Sequence, residues 1–331
     1  MRRREFITLI GGATISFTCS AVIDSSEAQP IRRKRLGYLS GGKEGVWNSF
    51  TIKILKASLH DLGWRENETI DIDERWADGD ASRLPGLASE LVQLRPDVIA
   101  TTGASESKAL KVATQEIPVV FLQVADPISS GLIVSISRPG GNMTGLMQGP
   151  QILWSKRVGL LTEMLGRQPR HLAWLGNPAN SGTASNWVDA KDAAARAGAD
   201  LTRIEVSRAE DLEGAFKGIR GVDGLLVQWD FLFSIWSNQI AQLAAQKGVP
   251  AIYENRLQVL AGGLMSYGGD LRENFRQGAV YVDRILKGAR PADLPVIQAS
   301  RFELVLNQGV AKALGLAIPS SLLARADEVI E

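Results

Sequence analysis

Short β-rich runs alternate with longer helical stretches along the chain from Arg35 onward. In the first half the pattern predicts strands over residues 36–40, 70–76, 97–101 and 119–122, and helices over 47–62, 84–94 and 105–114. Gly63 ends the first of these helices and Pro96 precedes the third strand. Glycine and proline commonly mark the ends of such elements. Strands separated by helices of about 10–15 residues are typical of parallel βαβ units, so this half predicts a parallel sheet.

The same alternation starts again in the second half. It predicts strands over residues 171–175, 201–206, 224–228 and 250–253, and helices over 184–197, 209–219 and 233–246. The segments 116–121 and 248–253 share one design, in which a helix ends, a proline follows and a short apolar strand begins. This repetition predicts two successive parallel sheets in two lobes. We expect the chain to cross between them within the glycine-rich segment 140–149.

The remaining residues predict further crossings between the lobes. They contain an amphipathic helix over 270–287, a strand over 301–306 and a helix over 308–314 that ends at Gly315. We therefore assign 29–145 with 270–298 to lobe 1, and 146–266 with 303–331 to lobe 2. A multi-crossing hinge is expected at four positions: Gly145, Tyr267, Gly268 and Asn307. Two lobes joined in this way enclose a cleft that can close on a ligand.

Residues 1–28 have the features of an export signal. Three arginines at residues 2–4 precede a mostly apolar run over 7–18, and Ser26 and Ala28 fit a small-x-small cleavage rule. The apolar run is shorter than the ~20 residues that span a bilayer. The sequence Arg-Arg-Glu-Phe-Ile at 3–7 fits the twin-arginine type of signal. We expect a periplasmic protein without a lipid anchor, because the residues before Cys19 match a lipoprotein acceptor site poorly.

Composition and missing motifs exclude several classes of function. The chain has 331 residues, a net charge of +1 and 45% hydrophobic residues, and it shows no basic stripe that would favour nucleic acid. The two histidines, His60 and His171, fall in a predicted helix and at a strand start. No nucleophile elbow, zinc motif or nucleotide-binding glycine pattern occurs. We expect a monomer with no enzymatic activity, no cofactor and no metal.

Polar residues cluster where the predicted strands of lobe 1 end, at the edge where parallel sheets bind ligands. They are Ser40, Gly41, Thr102, Gly103, Ser105, Gln123 and Asp126. The segment from Thr102 to Ser105 opens a helix, where free amides and hydroxyls suit an anionic group such as a carboxylate. Ordinary N-capping by Ser105 is the alternative interpretation, and both can hold at once.

The strand ends of lobe 2 carry a second set of candidates. They are Asn177, Asn180, Trp229, Asp230, Tyr253 and Glu254. Asp230 suits a ligand ammonium group, or it caps the helix that follows. Trp47 and Trp229 suit a planar ligand held between them, or they pack in the core or at the rim.

Several segments resemble one family. Asp126-Pro127, residues 131–135 and residues 138–145 resemble the signature block of the ABC-transporter substrate-binding family that includes tryptophan-binding TrpX-type proteins. Residues 262–268, 285–295 and 311–331 are similar to the same family. The resemblance implies a type I periplasmic-binding-protein fold, with two Rossmann-like α/β lobes of parallel sheets joined by a multi-crossing hinge. It also implies a small-molecule ligand between the lobes, an ABC permease with its ATPase as partner, and a pocket drawn from these positions: Ser40, Thr102, Ser105, Asp126, Asn180, Asp230, Tyr253 and Glu254.

The resulting hypothesis is the periplasmic solute-binding component of an ABC importer. An amino acid or an aromatic, carboxylate-bearing solute is the preferred ligand. A periplasmic sensor that presents its ligand to a membrane receptor is the alternative, because the two differ only at the docking surface. The segments Gly41-Gly42 and Gln228-Trp229-Asp230 depart from the family pattern, so tryptophan itself is not transferred to this chain.

Overall fold

The two halves of the chain build two separate sheets in the computed structural model. The structure describes residues 32–44, 48–124, 126–147, 153–180, 182–298 and 300–331, with the side chains of 48 and 49 left out. Trp47 and the predicted export signal over 1–28 lie outside the described residues. Arg33–Glu331 forms one compact unit.

The strands and helices of the described chain follow the predicted alternation. The strands are β1 (Lys34–Ser40), β2 (Ile70–Trp76), β3 (Val98–Thr102), β4 (Val119–Val124), β5 (Met143–Met147), β6 (His171–Gly176), β7 (Asp200–Glu205), β8 (Gly224–Val227), β9 (Ala251–Tyr253), β10 (Met265–Gly269), β11 (Ile297–Gln298), β12 (Phe302–Asn307) and β13 (Glu328–Ile330). The helices are α1 (Asn48–Asp61), α2 (Leu84–Gln93), α3 (Ala104–Ala113), α4 (Leu153–Leu165), α5 (Thr183–Arg196), α6 (Leu212–Gly218), α7 (Phe231–Ile235), α8 (Ser237–Gln246), α9 (Arg256–Leu260), α10 (Leu271–Leu286), α11 (Gln308–Ala313) and α12 (Ser320–Leu323).

The first sheet, which defines lobe 1, has the strand order β11-β5-β4-β3-β1-β2, with neighbouring strands parallel. Successive residues of β1 point to opposite faces: Tyr38 joins the apolar cluster beneath α1 and α10, and Leu39 joins the cluster beneath α2 and α3. Both faces are therefore buried, which is the condition under which parallel strands read as continuous apolar runs.

The second sheet, which defines lobe 2, has the order β13-β12-β10-β9-β8-β6-β7. Strands β10 and β12 run antiparallel, and the other neighbours run parallel. Trp174 on one face and Phe233 on the other belong to two further apolar clusters. The predicted α/β class with two mostly parallel sheets is confirmed.

The chain passes between the lobes at positions that differ in part from the predicted ones. The first passage lies between Met147 and Leu153, because the segment expected as a linker contains β5 of the first sheet. The later passages follow Gly269 and Gln298. A five-residue strand that contains a glycine has too little apolar pattern to be distinguished from a loop, which explains the error.

The four predicted hinge residues lie in strands and outside the passages themselves. Gly145 is in β5, Tyr267 and Gly268 are in β10, and Asn307 ends β12, where its Oδ1 accepts a hydrogen bond of 2.9 Å from the Val310 N–H. Their role in a hinge motion stays a prediction.

Candidate functional site

A cavity lies between the carboxyl ends of the two sheets. Its empty volume is about 760 Å³, which includes space open to solvent. Lobe 1 contributes the ends of β3 and β4, the start of α3, and side chains of α1 and α10; lobe 2 contributes the loops after β6 and β8. The lining residues are Thr51, Thr102, Gly103, Ala104, Ser105, Glu106, Gln123, Asp126, Ser130, Asn180, Gly182, Asn186, Gln228, Trp229, Asp230, Phe231, Leu271 and Phe275.

The structure brings eight of the sequence-predicted residues to this cavity. They are Thr102, Gly103, Ser105, Gln123, Asp126, Asn180, Trp229 and Asp230. Trp47 lies outside the described residues, so the predicted tryptophan sandwich has one described member. Parallel topology accounts for this grouping, since it places the carboxyl ends of neighbouring strands at one edge.

Three other predicted residues lie behind the cavity wall and support it. The Gly41 N–H donates to Glu106 Oε1 at 2.9 Å, and Ser40 Oγ accepts from the Gly42 N–H at 3.2 Å. Asn177 Nδ2 donates to Asp230 Oδ1 at 3.2 Å.

The two remaining predicted residues, Tyr253 and Glu254, are turned into the interior of lobe 2. Tyr253 ends β9 within an apolar cluster, and burial raises the pKa of its phenol. Glu254 forms a buried ion pair with Arg157 at 3.1 Å and accepts a 2.8 Å hydrogen bond from the Trp229 N–H. The expectation that these side chains face the ligand is corrected, because the pattern that marks a strand end does not tell which face each residue takes.

Asp230 lies at the cavity wall with 1% of its surface exposed. Its Oδ2 accepts from Asn180 Nδ2 at 2.8 Å, and its Oδ1 accepts from the Leu232 N–H at 2.9 Å, which caps α7. Burial raises the pKa of Asp230, and the hydrogen bonds from the two asparagines and the helix amides oppose that rise. The two interpretations of Asp230 therefore coexist, since one carboxyl caps the helix and also faces the cavity.

Glu106 is a cavity residue that the sequence analysis missed. It is the third residue of α3, only 2% exposed, and its carboxyl lies over the start of its own helix. Burial raises its pKa to about 8, opposed by hydrogen bonds from its own N–H and from Gly41 and increased by the charge of Asp230. A glutamate in the first turn of a helix is ordinary on a protein surface, so nothing in the sequence marks this one as buried.

Gln123 has an unusual backbone at the cavity edge of β4. Its φ is +61°, in the left-handed region, and the pairing of β4 with β5 shifts register between Phe121 and Val124. Irregular strand pairing and strained dihedrals of this kind are common beside functional sites, where they redirect a side chain. Gln123 is 7% exposed, and its Nε2 has no hydrogen-bond partner among the described atoms.

The other lining residues missed by the sequence come from elements distant along the chain. They are Thr51, Ala104, Ser130, Gly182, Asn186, Gln228, Phe231, Leu271 and Phe275. Leu271 and Phe275 belong to the apolar core of lobe 1 through α10, and this dual role hides them in the sequence pattern. Phe231 directly follows Asp230 at the start of α7 and adds an aromatic surface.

A second hollow of about 460 Å³ adjoins this cavity and shares Ser105, Asn180 and Phe231 with it. Residues 79–82 of lobe 1 also line it, and lobe 2 adds Ala179, Ser207, Leu232 and the predicted site residue Asn177. The cleft is thus longer than the first cavity alone.

Metal and membrane features are absent from the part of the chain that the structure describes. Within those residues, no group of three or more histidine, cysteine, aspartate or glutamate side chains could hold a metal ion. The helices found there are all too short or too polar to cross a membrane.

Comparison with known proteins agrees with this architecture. The model of a family described as ABC transporter substrate binding protein matches residues 50–330. A curated tyrosine-binding protein of Clostridioides difficile (strain R20291) is 24% identical over 261 residues, which cover 78% of this chain and 74% of that protein.

Two solved structures share the fold closely. A conserved domain protein of Vibrio cholerae is 27% identical, with a TM-score of 0.84 over 89% of this chain and 99% of the other. An ABC domain from Streptococcus pneumonia in complex with L-Trp is 23% identical, with a TM-score of 0.84 over 90% of this chain and 100% of the other. These likenesses confirm the predicted type I periplasmic-binding-protein fold.

Proposed function

This chain belongs to the family of ABC transporter substrate-binding proteins, and we propose that it captures a small solute between its lobes for import. In this proposal the protein works in the periplasm and delivers the solute to an ABC permease and its ATPase. The export features of residues 1–28 support that location. The role is one of binding, as expected of a family of solute-binding proteins.

The proposed solute carries an ammonium group and an apolar or aromatic part, as amino acids such as tryptophan and tyrosine do. The observation that carries this proposal is Asp230, a buried carboxyl at the cavity wall whose orientation is fixed by Asn177 and Asn180. A carboxylate held in this way forms charge-assisted hydrogen bonds with an ammonium group. Phe231, Phe275 and Trp229 offer the surface for the apolar part. Support also comes from the tyrosine-binding relative and the L-Trp complex.

Native mass spectrometry of the purified protein tests this function. We expect one solute per chain that leaves unchanged on denaturation and raises the melting temperature of the stripped protein when added back. A thermal-shift panel of amino acids, aromatic acids, aromatic amines and nucleobases then defines its class. Release of a chemically altered solute would instead indicate an enzyme, and failure to bind any small molecule would contradict the proposal.

The variant Asp230→Asn tests the residue that carries the proposal. Asparagine keeps an oxygen that can cap α7 but removes the charge, so the fold should persist. We expect the affinity for an ammonium-bearing solute to fall at least tenfold from a micromolar value, which corresponds to about −8 kcal/mol. Asp223→Asn is the matched control, because Asp223 caps a surface turn at the far end of β6 and does not line the cavity. Equal affinity of Asp230→Asn and the wild type would refute the role of Asp230.

A further inference from the structure

The ionisable side chains that line the described part of the cavity are all acidic. Its described lining contains three carboxyl side chains, from Glu106, Asp126 and Asp230, and no lysine, arginine or histidine. Glu106 and Asp230 are almost fully buried, and the charge of Asp230 contributes to the raised pKa of Glu106. Buried carboxylates are costly unless a cation or several donors compensate them. The described residues of the wall supply donors but no cation, so a bound solute is the available source of positive charge.

The start of α3, whose free amides could bind a solute carboxylate, is covered by the carboxyl of Glu106. Gly103 precedes α3 with φ +79° and gives no side-chain cap, and the Glu106 carboxyl folds back over this helix start. Oε1 accepts from the Gly41 N–H, and a Cβ on Gly103 would lie 2.7 Å from Oε2. Helix N-termini attract anions through their free amides. A solute carboxylate here would have to compete with the Glu106 carboxyl for those amides.

The Gln123 amide is an independent sign of a ligand. Its Nε2 is a buried donor with no partner among the described atoms, and the residue lines the cavity with a left-handed backbone. Buried donors in native proteins are almost always paired. An acceptor atom of the solute would provide the missing partner.

Building on the function proposed above, we propose that the solute is a cationic amine without a free carboxylate. Its ammonium group lies between Glu106 and Asp230, one from each lobe, and an acceptor atom of the same molecule faces the Gln123 amide. The apolar body of the amine packs against Phe231 and Phe275. A zwitterionic amino acid fits this arrangement less well, because its carboxylate has no cationic partner in the described wall.

Proton release follows from this placement. The pKa of Glu106 is raised to about 8, so its carboxyl carries a proton at neutral pH before the solute binds. Glu106 interacts electrostatically with Asp230 of lobe 2 and Tyr38 of β1, and Asp126 lines the same cavity. Burial raises the pKa of Tyr38, so its phenol stays neutral. Neither acid nor phenol compensates a charge on Glu106. An ammonium group does, so binding displaces the proton. Affinity therefore rises with pH up to about 8, where Glu106 is ionised without a ligand, and levels off until the amine itself loses its charge near pH 10.

Two matched pairs of probes test the proposal by isothermal titration calorimetry: tryptamine against tryptophan, and tyramine against tyrosine. We expect each amine to bind at least tenfold more tightly than its amino acid at pH 8. Affinity for the amine should rise at least tenfold between pH 6 and pH 8. Titrations in buffers of different ionisation enthalpy should show release of close to one proton at pH 7.

The variants Glu106→Gln and Gln123→Ala separate the contributions of the two residues. Glu106→Gln should remove the pH dependence and most of the preference for the amine, while Gln123→Ala should weaken binding without altering the pH dependence. This inference would be overturned if each amino acid bound more tightly than its amine and if Glu106→Gln left the ratio of the two affinities unchanged. The proposed function would still stand. Absence of any bound solute in the wild type, in these titrations and in native mass spectrometry, would overturn both.

Discussion

The Glu106 carboxyl makes the stability of the ligand-free protein depend on pH. Its pKa rises from an ordinary value of 4.5 to about 8 because folding removes it from water. Between these values the folded state binds more protons than the unfolded state, so the free energy of unfolding falls as pH rises. The stabilising contribution of the protonated group is complete below about pH 4.5 and is lost as pH rises through about 8.

Replacement of Glu106 by glutamine should flatten this dependence. We expect the ligand-free Glu106→Gln variant to be more stable than the wild type at pH 9, by a few kcal/mol, and to differ less at pH 5. Urea unfolding at a series of pH values measures the difference. Glu90→Gln is the control, because Glu90 is an exposed residue of α2 paired with Arg75. Parallel pH profiles for Glu106→Gln and the wild type would contradict the expectation.

For single residues, the sequence predicts which residues lie at strand ends better than it predicts where their side chains point. Thr102, Asp126 and Asp230 were predictable because each follows the carboxyl end of a strand. The inward turn of Glu254 was not, because its partner Arg157 lies 97 residues away and nothing local specifies the pair. Glu106 was hidden for the same reason, since it interacts with Gly41, which lies 65 residues earlier, and with Asp230 of the other lobe.

The β4–β5 pair depends on a glycine. Gly145 has φ +150°, and a Cβ at this position would overlap the carbonyl oxygen of Phe121 on β4. An alanine must therefore push the two strands apart or move the irregular part of β4 that carries Gln123.

We expect Gly145→Ala to destabilise the protein by more than about 3 kcal/mol, since it combines backbone strain with disruption of packed strands. Thermal and urea unfolding measure this loss. Gly141→Ala is the matched control, four residues earlier, because a Cβ there would have no heavy atom within 4 Å. Equal stability of the two variants would show that β5 adapts without cost.

A buried ion pair connects three elements of lobe 2 behind the cavity. Arg157 on α4 pairs with Glu254 after β9, and its Nε donates to the Tyr267 carbonyl oxygen of β10 at 2.8 Å. Glu254 in turn accepts from the Trp229 N–H, which fixes the backbone beside Asp230. The pair thus connects the first segment of lobe 2 to the wall of the site.

The variant Arg157→Met should cost about 3–5 kcal/mol, because it removes the cation from a buried ion pair. Ligand affinity should also fall, through displacement of Trp229. Chemical denaturation measures the first effect and calorimetry the second. Arg208→Met is the control: Arg208 forms an exposed pair with Asp211, so its loss should change stability by less than about 1 kcal/mol. A similar small change for Arg157→Met would mean that the other contacts of Glu254 compensate for the loss of the ion pair.

Most helices and strands of βαβ type were predictable from the pattern, whereas several short strands and one long helix were not. The predicted helices and strands of βαβ type recur with ends shifted by up to three residues: α2 and β6 differ by one, and α6 begins three residues later than predicted. Strands β5, β10, β11 and β13 were missed, because two to five residues carry too little periodicity. Helices α4, α9 and α12 were missed as well, although α4 has 13 residues. One helix predicted over 233–246 is two, α7 and α8, which meet at Trp236.

For the whole molecule, the internal repetition of the pattern was enough to predict two lobes, each built on a mostly parallel sheet. The cavity required more, because its wall is assembled from α1, α3, α10 and the loops after β4, β6 and β8. Whether these elements meet at one cavity depends on where the chain passes between the lobes, and no local pattern specifies those passages. The charge of the cavity therefore became visible only in the structure.

The two lobes also touch across the cleft in this structure. A Cβ on Gly41 of lobe 1 would lie 2.9 Å from Cδ1 of Phe231 in lobe 2, and one on Gly79 would lie 3.0 Å from Leu232. These glycines leave room for the start of α7 to approach lobe 1. A solute that bonds to Glu106 on one side and Asp230 on the other stabilises this approach, because only a ligand with different affinity for two arrangements can shift the balance between them.

The variant Gly41→Ala tests whether that approach is needed for binding. The added methyl group would lie 2.9 Å from the Phe231 ring of lobe 2, so it opposes the close arrangement of the lobes. It would also lie 2.6 Å from Glu106 Oε1, so the Glu106 side chain must shift within lobe 1. We expect at least tenfold weaker binding of the solute found by native mass spectrometry. X-ray scattering should show a larger radius of gyration than the wild type at the same ligand concentration. Gly86→Ala on α2, where a Cβ meets no neighbouring atom within 4 Å, should behave like the wild type. Unchanged affinity in Gly41→Ala would mean that the lobes hold their ligand without closing over it.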